Sequence, residues 1–103
     1  MIKEKFNLNN KVAVITGASK GIGESIARGL AEFGANVVIS SRKQEAVDKV
    51  ASKFNSEGLS AIGIECHVAK EDHQKELIRK VMDKFGRIDI LINNAGTNPY
   101  FGP

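Results

Sequence analysis

Cysteine is nearly absent from this 103-residue chain: Cys66 stands alone. A lone thiol excludes an internal disulfide framework. No apolar run approaches the roughly 20 residues that a membrane-spanning helix needs. The first residues, Met1-Ile2-Lys3-Glu4-Lys5-Phe6-Asn7, are polar and contain no apolar core of a secretory signal. Together these absences lead to the expectation of a cytoplasmic chain with no membrane partner. A clustered basic stretch is missing as well. The net charge is only +3, and Lys and Arg are scattered among Asp and Glu. A nucleic-acid footprint would gather them on one face, so no nucleic-acid partner is expected.

Several reactive arrangements are also missing. There is no G-x-S-x-G elbow to hold a serine nucleophile. The glycine-rich stretch lacks the G-K-[ST] ending of an NTPase phosphate loop. Cys66, His67 and His73 have no carboxylate or second thiol at ligand spacing, so no metal site is expected.

What remains is the composition of a folded globular chain, 42% hydrophobic and 26% charged. The length suits about one small domain. Apolar and β-branched runs at 11–16, 36–40, 61–66 and 88–93 read as strands. Helical apolar stripes fill 21–33, 44–57 and 70–85, ending at Gly34, Gly58 and Gly86. Strand and helix alternate, which is the signature of βαβ units. Continuous apolar strands indicate a parallel sheet covered on both faces. Right-handed crossovers then predict a doubly wound, Rossmann-type α/β sheet with strand order 3-2-1-4. In that order the fourth strand lies at an open edge, yet Ile88, Ile90, Leu91 and Ile92 read as buried on both faces. An exposed apolar edge invites aggregation. The expectation is therefore that 1–103 is the N-terminal part of a single domain, incomplete at its C-terminal side, with more protein beyond.

The first strand runs into Thr16-Gly17-Ala18-Ser19-Lys20-Gly21-Ile22-Gly23. Gly17 permits a sharp exit from the strand, Gly21 leaves room for a ligand at the backbone, and Gly23 lets the helix pack closely. A glycine turn that opens a helix presents backbone N–H groups and a positive dipole end to a phosphate. At the end of the second strand, Ser41-Arg42-Lys43 stands where a nucleotide fold meets the adenosine ribose. A carboxylate there would accept from a free 2′-hydroxyl. A serine and a guanidinium suit a 2′-phosphate, with Lys20 as a second positive charge. Arg42 and Lys43 are also compatible with solvated residues at a helix start. Asn93-Asn94-Ala95-Gly96 ends the fourth strand, and small residues there let a ligand lie against the backbone. Alone, it is equally a polar turn.

Thr16 to Gly23, Asp89, and Asn93 to Gly96 together resemble the classical short-chain dehydrogenase/reductase family over residues 10–98. The resemblance implies an NADP(H)-dependent oxidoreductase that interconverts a carbonyl and an alcohol, often as a homo-oligomer. It implies a cofactor site at Gly17, Ser19, Lys20, Gly21, Ile22, Gly23, Ser41, Arg42, His67, Val68, Asn94, Ala95 and Gly96. One departure is His67-Val68, where the family commonly has Asp-Val against the adenine. Cys66-His67-Val68, Ser40-Ser41-Arg42-Lys43 and Asn98-Pro99-Tyr100-Phe101-Gly102 are similar to the NADPH-dependent carbonyl and retinal reductase branch, which includes peroxisomal members. The family's catalytic Asn, Ser and Tyr-x-x-x-Lys lie downstream of the Asn-Asn-Ala-Gly motif. Tyr100 begins no such motif, so no residue here is assigned a catalytic role. The alternative expectation is a non-catalytic nucleotide-binding module or a truncated product.

Overall fold

The computed structural model describes residues 7–94. Four strands and three helices alternate: β1 (Val12–Thr16), α1 (Gly21–Glu32), β2 (Asn36–Ser41), α2 (Gln44–Ser56), β3 (Ser60–Glu65), α3 (Glu71–Phe85) and β4 (Ile90–Asn93). The strands form one parallel sheet in the order β3-β2-β1-β4. The doubly wound, Rossmann-type expectation therefore holds, including its strand order.

The two faces of the sheet carry separate cores. Ala13 and Ile15 of β1 and Val37 and Ile39 of β2 pack with Ala27 and Ala31 of α1 and with Val47, Val50, Ala51 and Phe54 of α2. On the other face Val12, Val14 and Val38 pack with Leu77 and Val81 of α3 and with Cys66. The alternation of strand residues between the two clusters is the pleat itself. Because β1 is covered on both sides, all five of its residues are buried. All three helices start at the carboxyl ends of strands, so their N-termini share one rim of the sheet.

The last strand departs from the sequence expectation in two ways. It begins at Ile90, two residues later than the apolar run suggests. Asp89 is instead a clasp across the foot of the sheet. Its N–H donates to the Val12 carbonyl (2.8 Å), and its carboxylate accepts from the Val12 N–H (2.8 Å) and from Arg87 (2.7 and 2.8 Å). The Arg87 guanidinium, followed by the Val12 N–H, holds the Asp89 carboxyl below its ordinary pKa. Nor is β4 buried on both faces. Ile90 and Ile92 pack against the α1–α2 core, but Leu91 is 57% exposed. A single helix is about 10–12 Å across, whereas four strands about 4.8 Å apart span roughly 14 Å. Alone on its face among the described residues, α3 covers β1 and β2 and leaves Leu91 outside its shadow.

Candidate functional site

The carboxyl rim of the sheet opens into a cleft of about 1110 Å³. Three chain segments wall it, one after each of the first three strands, with Asn94 at the end of β4.

The first wall is the glycine turn. Gly17 leaves β1 with φ 64°, and Gly21 enters α1 with φ 63°. Both are left-handed conformations that glycine adopts without a Cβ penalty. Between them Ala18 is buried, and its N–H donates to the Ser40 carbonyl (3.1 Å). Lys20 caps α1 in an extended conformation and makes no side-chain hydrogen bond to the helix. The first N–H groups of α1 therefore have no side-chain cap at a helix end where partial positive charge accumulates. A Cβ built on Gly21 meets no atom within 4 Å, so the turn leaves open space in front of that backbone.

Below the turn the two separated motifs meet. The Asn94 Nδ2 donates to the Gly17 carbonyl (3.2 Å). Thr16 Oγ1 donates to Asn93 Oδ1 (2.9 Å). Gly23 packs onto this junction: a Cβ there would overlap the Gly17 carbonyl and lie 2.7 Å from Asn94 Nδ2 and 2.9 Å from the Ala18 Cα. The third glycine thus does not line the cleft. It lets α1 close on the turn and on Asn94.

The second wall is Ser41-Arg42-Lys43 with Ala46 from the first turn of α2. The third is Cys66-His67-Val68-Ala69. A backbone bond from the Cys66 N–H to the Ser41 carbonyl (2.8 Å) ties these two walls together. The His67 N–H donates to His73 Nδ1 (3.2 Å), which requires that nitrogen to be unprotonated. The two imidazoles meet edge to face, with centroids 6.2 Å apart. His67 Nδ1 is itself buried without a hydrogen-bond partner. Burial pushes the Cys66 thiol above its ordinary pKa, which makes it a poor nucleophile.

Lys20, Arg42 and Lys43 line the cleft, and among the described residues no Asp or Glu does. An uncapped helix N-terminus, an open backbone cradle and three cations without a carboxylate are a donor set for an anionic, phosphate-bearing ligand. Of the residues expected at a cofactor site, Gly17, Ser19, Lys20, Gly21, Ile22, Ser41, Arg42, His67, Val68 and Asn94 line this one cleft. Ala95 and Gly96 lie outside the described residues. The cleft adds Lys43, Ala46, Cys66 and Ala69. Lys43 was signalled by its place beside Arg42. The two alanines carry no signal beyond being small.

The short chain dehydrogenase family profile matches residues 11–101. The chain belongs to that family. Its members use nicotinamide cofactors, and the donor set of the cleft fits the phosphates of such a molecule. Human dehydrogenase/reductase SDR family member 2, mitochondrial, is 50% identical over 98% of this chain and 36% of its own length. Among solved structures, 2-keto-3-deoxy-D-gluconate dehydrogenase from Streptococcus agalactiae is similar with a TM-score of 0.81 at 47% identity, over 90% of this chain and 35% of that one. The RhlG/NADP active-site complex of Pseudomonas aeruginosa is similar with a TM-score of 0.83 at 38% identity, over 89% of this chain and 37% of that one. This short-chain dehydrogenase sequence spans about a third of the length of the curated relatives it matches.

One expectation is overturned here. A relative half identical over nearly the whole chain is named mitochondrial, against the cytoplasmic assignment read from the polar amino terminus and the lone cysteine. A polar first stretch and a lone cysteine are compatible with more than one compartment, and neither singles out the cytoplasm.

Proposed function

We propose that this chain is the NADP(H)-binding part of a short-chain oxidoreductase that interconverts a small carbonyl compound and an alcohol. The observation that carries the reading is the Ser41-Arg42-Lys43 wall, which faces a cleft free of carboxylates among the described residues. A 2′-phosphate is a dianion with acceptor oxygens only. It is repelled by Asp or Glu and matched by a guanidinium fork and a hydroxyl. Arg42 and Ser41 would hold that phosphate, with Lys20 adding positive charge. The uncapped N–H groups at the start of α1, over Gly21, would receive the pyrophosphate. His67 and Val68 would border the adenine, and Asn94 with Ala95 and Gly96 would continue the floor beyond the turn. The similarity to the RhlG/NADP active-site complex of Pseudomonas aeruginosa supports the same assignment. When bound, the cofactor supplies or accepts the hydride. The residues of this chain hold and orient it and keep its phosphates in a positive field.

Titration calorimetry on the chain tests the reading. NADP+ is expected to bind at least about tenfold tighter than NAD+, the order of one charge-assisted hydrogen bond. Arg42→Ala is expected to weaken NADP+ about 10- to 100-fold while leaving NAD+ within about twofold. Equal losses for both cofactors would refute the 2′-phosphate assignment. A binding module without chemistry makes the same affinity prediction, and turnover separates the two readings. Among the described residues no tyrosine lines the cleft. Tyr100, the one tyrosine of the sequence, begins no Tyr-x-x-x-Lys pair of the kind the family resemblance implies, so these 103 residues are expected to show no NADPH oxidation with a carbonyl substrate, whereas a chain in which a Ser and a Tyr-x-x-x-Lys follow is expected to show it.

A further inference from the structure

We propose that Gln44 is a positioning residue that latches the second wall of the cleft to the third. The inference rests on the cofactor reading above but concerns residues that reading does not use.

β3 is an edge strand. Its inner side pairs with β2, and its outer side would leave backbone groups without a strand partner. α2 meets that outer side with two primary amides. Asn55 donates through Nδ2 to the Ala61 carbonyl (2.8 Å) and accepts from the Ala61 N–H at Oδ1 (2.9 Å). Gln44 donates through Nε2 to the Gly63 carbonyl (2.9 Å) and accepts from the Glu65 N–H at Oε1 (2.8 Å). A carboxamide carries the same donor and acceptor as a peptide unit, so the pair stands in for a fifth strand. The two residues are 11 apart, about three helical turns, and so share one face of α2.

The clasps are alike in chemistry and unlike in place. Asn55 grips β3 near its start, far from the cleft. Gln44 grips its end. Gln44 immediately follows Ser41-Arg42-Lys43, and Glu65 immediately precedes Cys66-His67-Val68. One side chain therefore bridges the segment that carries Arg42 and the segment that carries His67. Asp48 Oδ1 accepts from the same Gln44 amide (2.7 Å) and fixes its orientation. Gly63 makes the reach possible. A Cβ there would lie 2.8 Å from the Val47 carbonyl carbon and 2.9 Å from its oxygen, so any larger residue lifts the first turns of α2 off the strand. With the latch in place, the separation of Arg42 from the His67–Val68 wall is set before a ligand arrives. Without it, the Cys66 N–H to Ser41 carbonyl bond alone ties the two walls, and part of the ordering falls to the ligand.

The test compares Gln44→Met, which keeps length and helix preference but deletes both bonds, with Asn55→Ala, which deletes the distant clasp. Both are expected to lower the thermal midpoint. Only Gln44→Met is expected to weaken NADP+, by about five- to tenfold, the effect of one extra element ordered on binding. It is also expected to lower the NADP+/NAD+ affinity ratio, which a purely structural defect would leave alone. If Gln44→Met leaves NADP+ affinity and the ratio within about twofold of the parent, or if Asn55→Ala changes them as much, the latch is refuted while the cofactor site stands. If the parent chain binds no NADP+, the cofactor reading fails. The latch is then judged by amide hydrogen exchange: faster exchange at Glu65 and Cys66 in Gln44→Met but not in Asn55→Ala supports it, and unchanged exchange overturns it.

Discussion

Gly23 and Gly29 lie on the same helix, six residues apart, and the same substitution should act on them in opposite directions. Replacing a helical glycine with alanine favours folding by up to about 1 kcal/mol, because the glycine loses more backbone freedom on folding. At Gly29 a Cβ meets nothing within 4 Å, so that gain stands undiminished. At Gly23 the Cβ overlaps the Gly17 carbonyl and crowds the Asn94 amide and the Ala18 Cα. Two of those neighbours are backbone and cannot rotate aside. Forcing a methyl into a filled site costs about 1–3 kcal/mol. Displacing Asn94 from the Gly17 carbonyl adds about 0.5–1.5 kcal/mol. The helix gain offsets only part, leaving Gly23→Ala about 1–3 kcal/mol less stable than the parent. For a domain of this size each kcal/mol moves the thermal midpoint by roughly 4–8 °C. Urea and thermal unfolding followed by circular dichroism measure both variants. The steric account fails if Gly23→Ala is as stable as the parent, or if Gly29→Ala loses stability to the same degree. NADP+ titration supplies a second readout, because the displaced turn carries the backbone cradle: affinity should fall for Gly23→Ala and hold for Gly29→Ala.

Two further predictions follow from the junctions of β4. The Asp89 carboxyl is held below its ordinary pKa, first by Arg87 and then by the Val12 N–H, so its contribution is complete above the ordinary carboxylate range and is lost as pH falls through the lowered value. Unfolding midpoints measured from pH 7 down to pH 2 should show a shallower acid decline in Asp89→Asn than in the parent, and parallel curves would refute the clasp. Asn94→Ala and Gly23→Ala disturb one contact, so the double variant should lose less stability than the two single losses added together, whereas strict additivity would show that the junction is not shared.

The strands that were easiest to read are those buried on both faces. Val12-Ala13-Val14-Ile15 and Val37-Val38-Ile39 have to be apolar at every position, and their shortness and β-branched content mark them as strands. β4 was read less well, for reasons that lie far away in sequence. Asp89 leaves the strand because its partner is Val12, 77 residues earlier, and Leu91 is exposed because one helix is narrower than four strands. The site divides in the same way. Glycines and cations placed just after strands announce themselves, since few other uses need them there. Ala46 and Ala69 contribute by leaving space, which has no sequence signature. Gln44 is an ordinary helix-surface residue until β3 is placed beside it.

The glycine turn and the Asn-Asn pair look like two motifs about 70 residues apart, and the structure makes them one object. Thr16 binds Asn93, Asn94 binds the Gly17 carbonyl, and Gly23 is small because that carbonyl and the Asn94 amide sit beneath it. The parallel pairing of β1 with β4, Thr16 beside Asn93, places the end of one strand next to the end of the other. A carbonyl that turned outward at Gly17 would add negative charge to the cleft. The Asn94 amide holds it at the junction beneath Gly23. The Asn-Asn pair therefore helps keep the rim positive without carrying a charge itself, while Lys20, Arg42 and Lys43 supply the cationic side chains of the cleft.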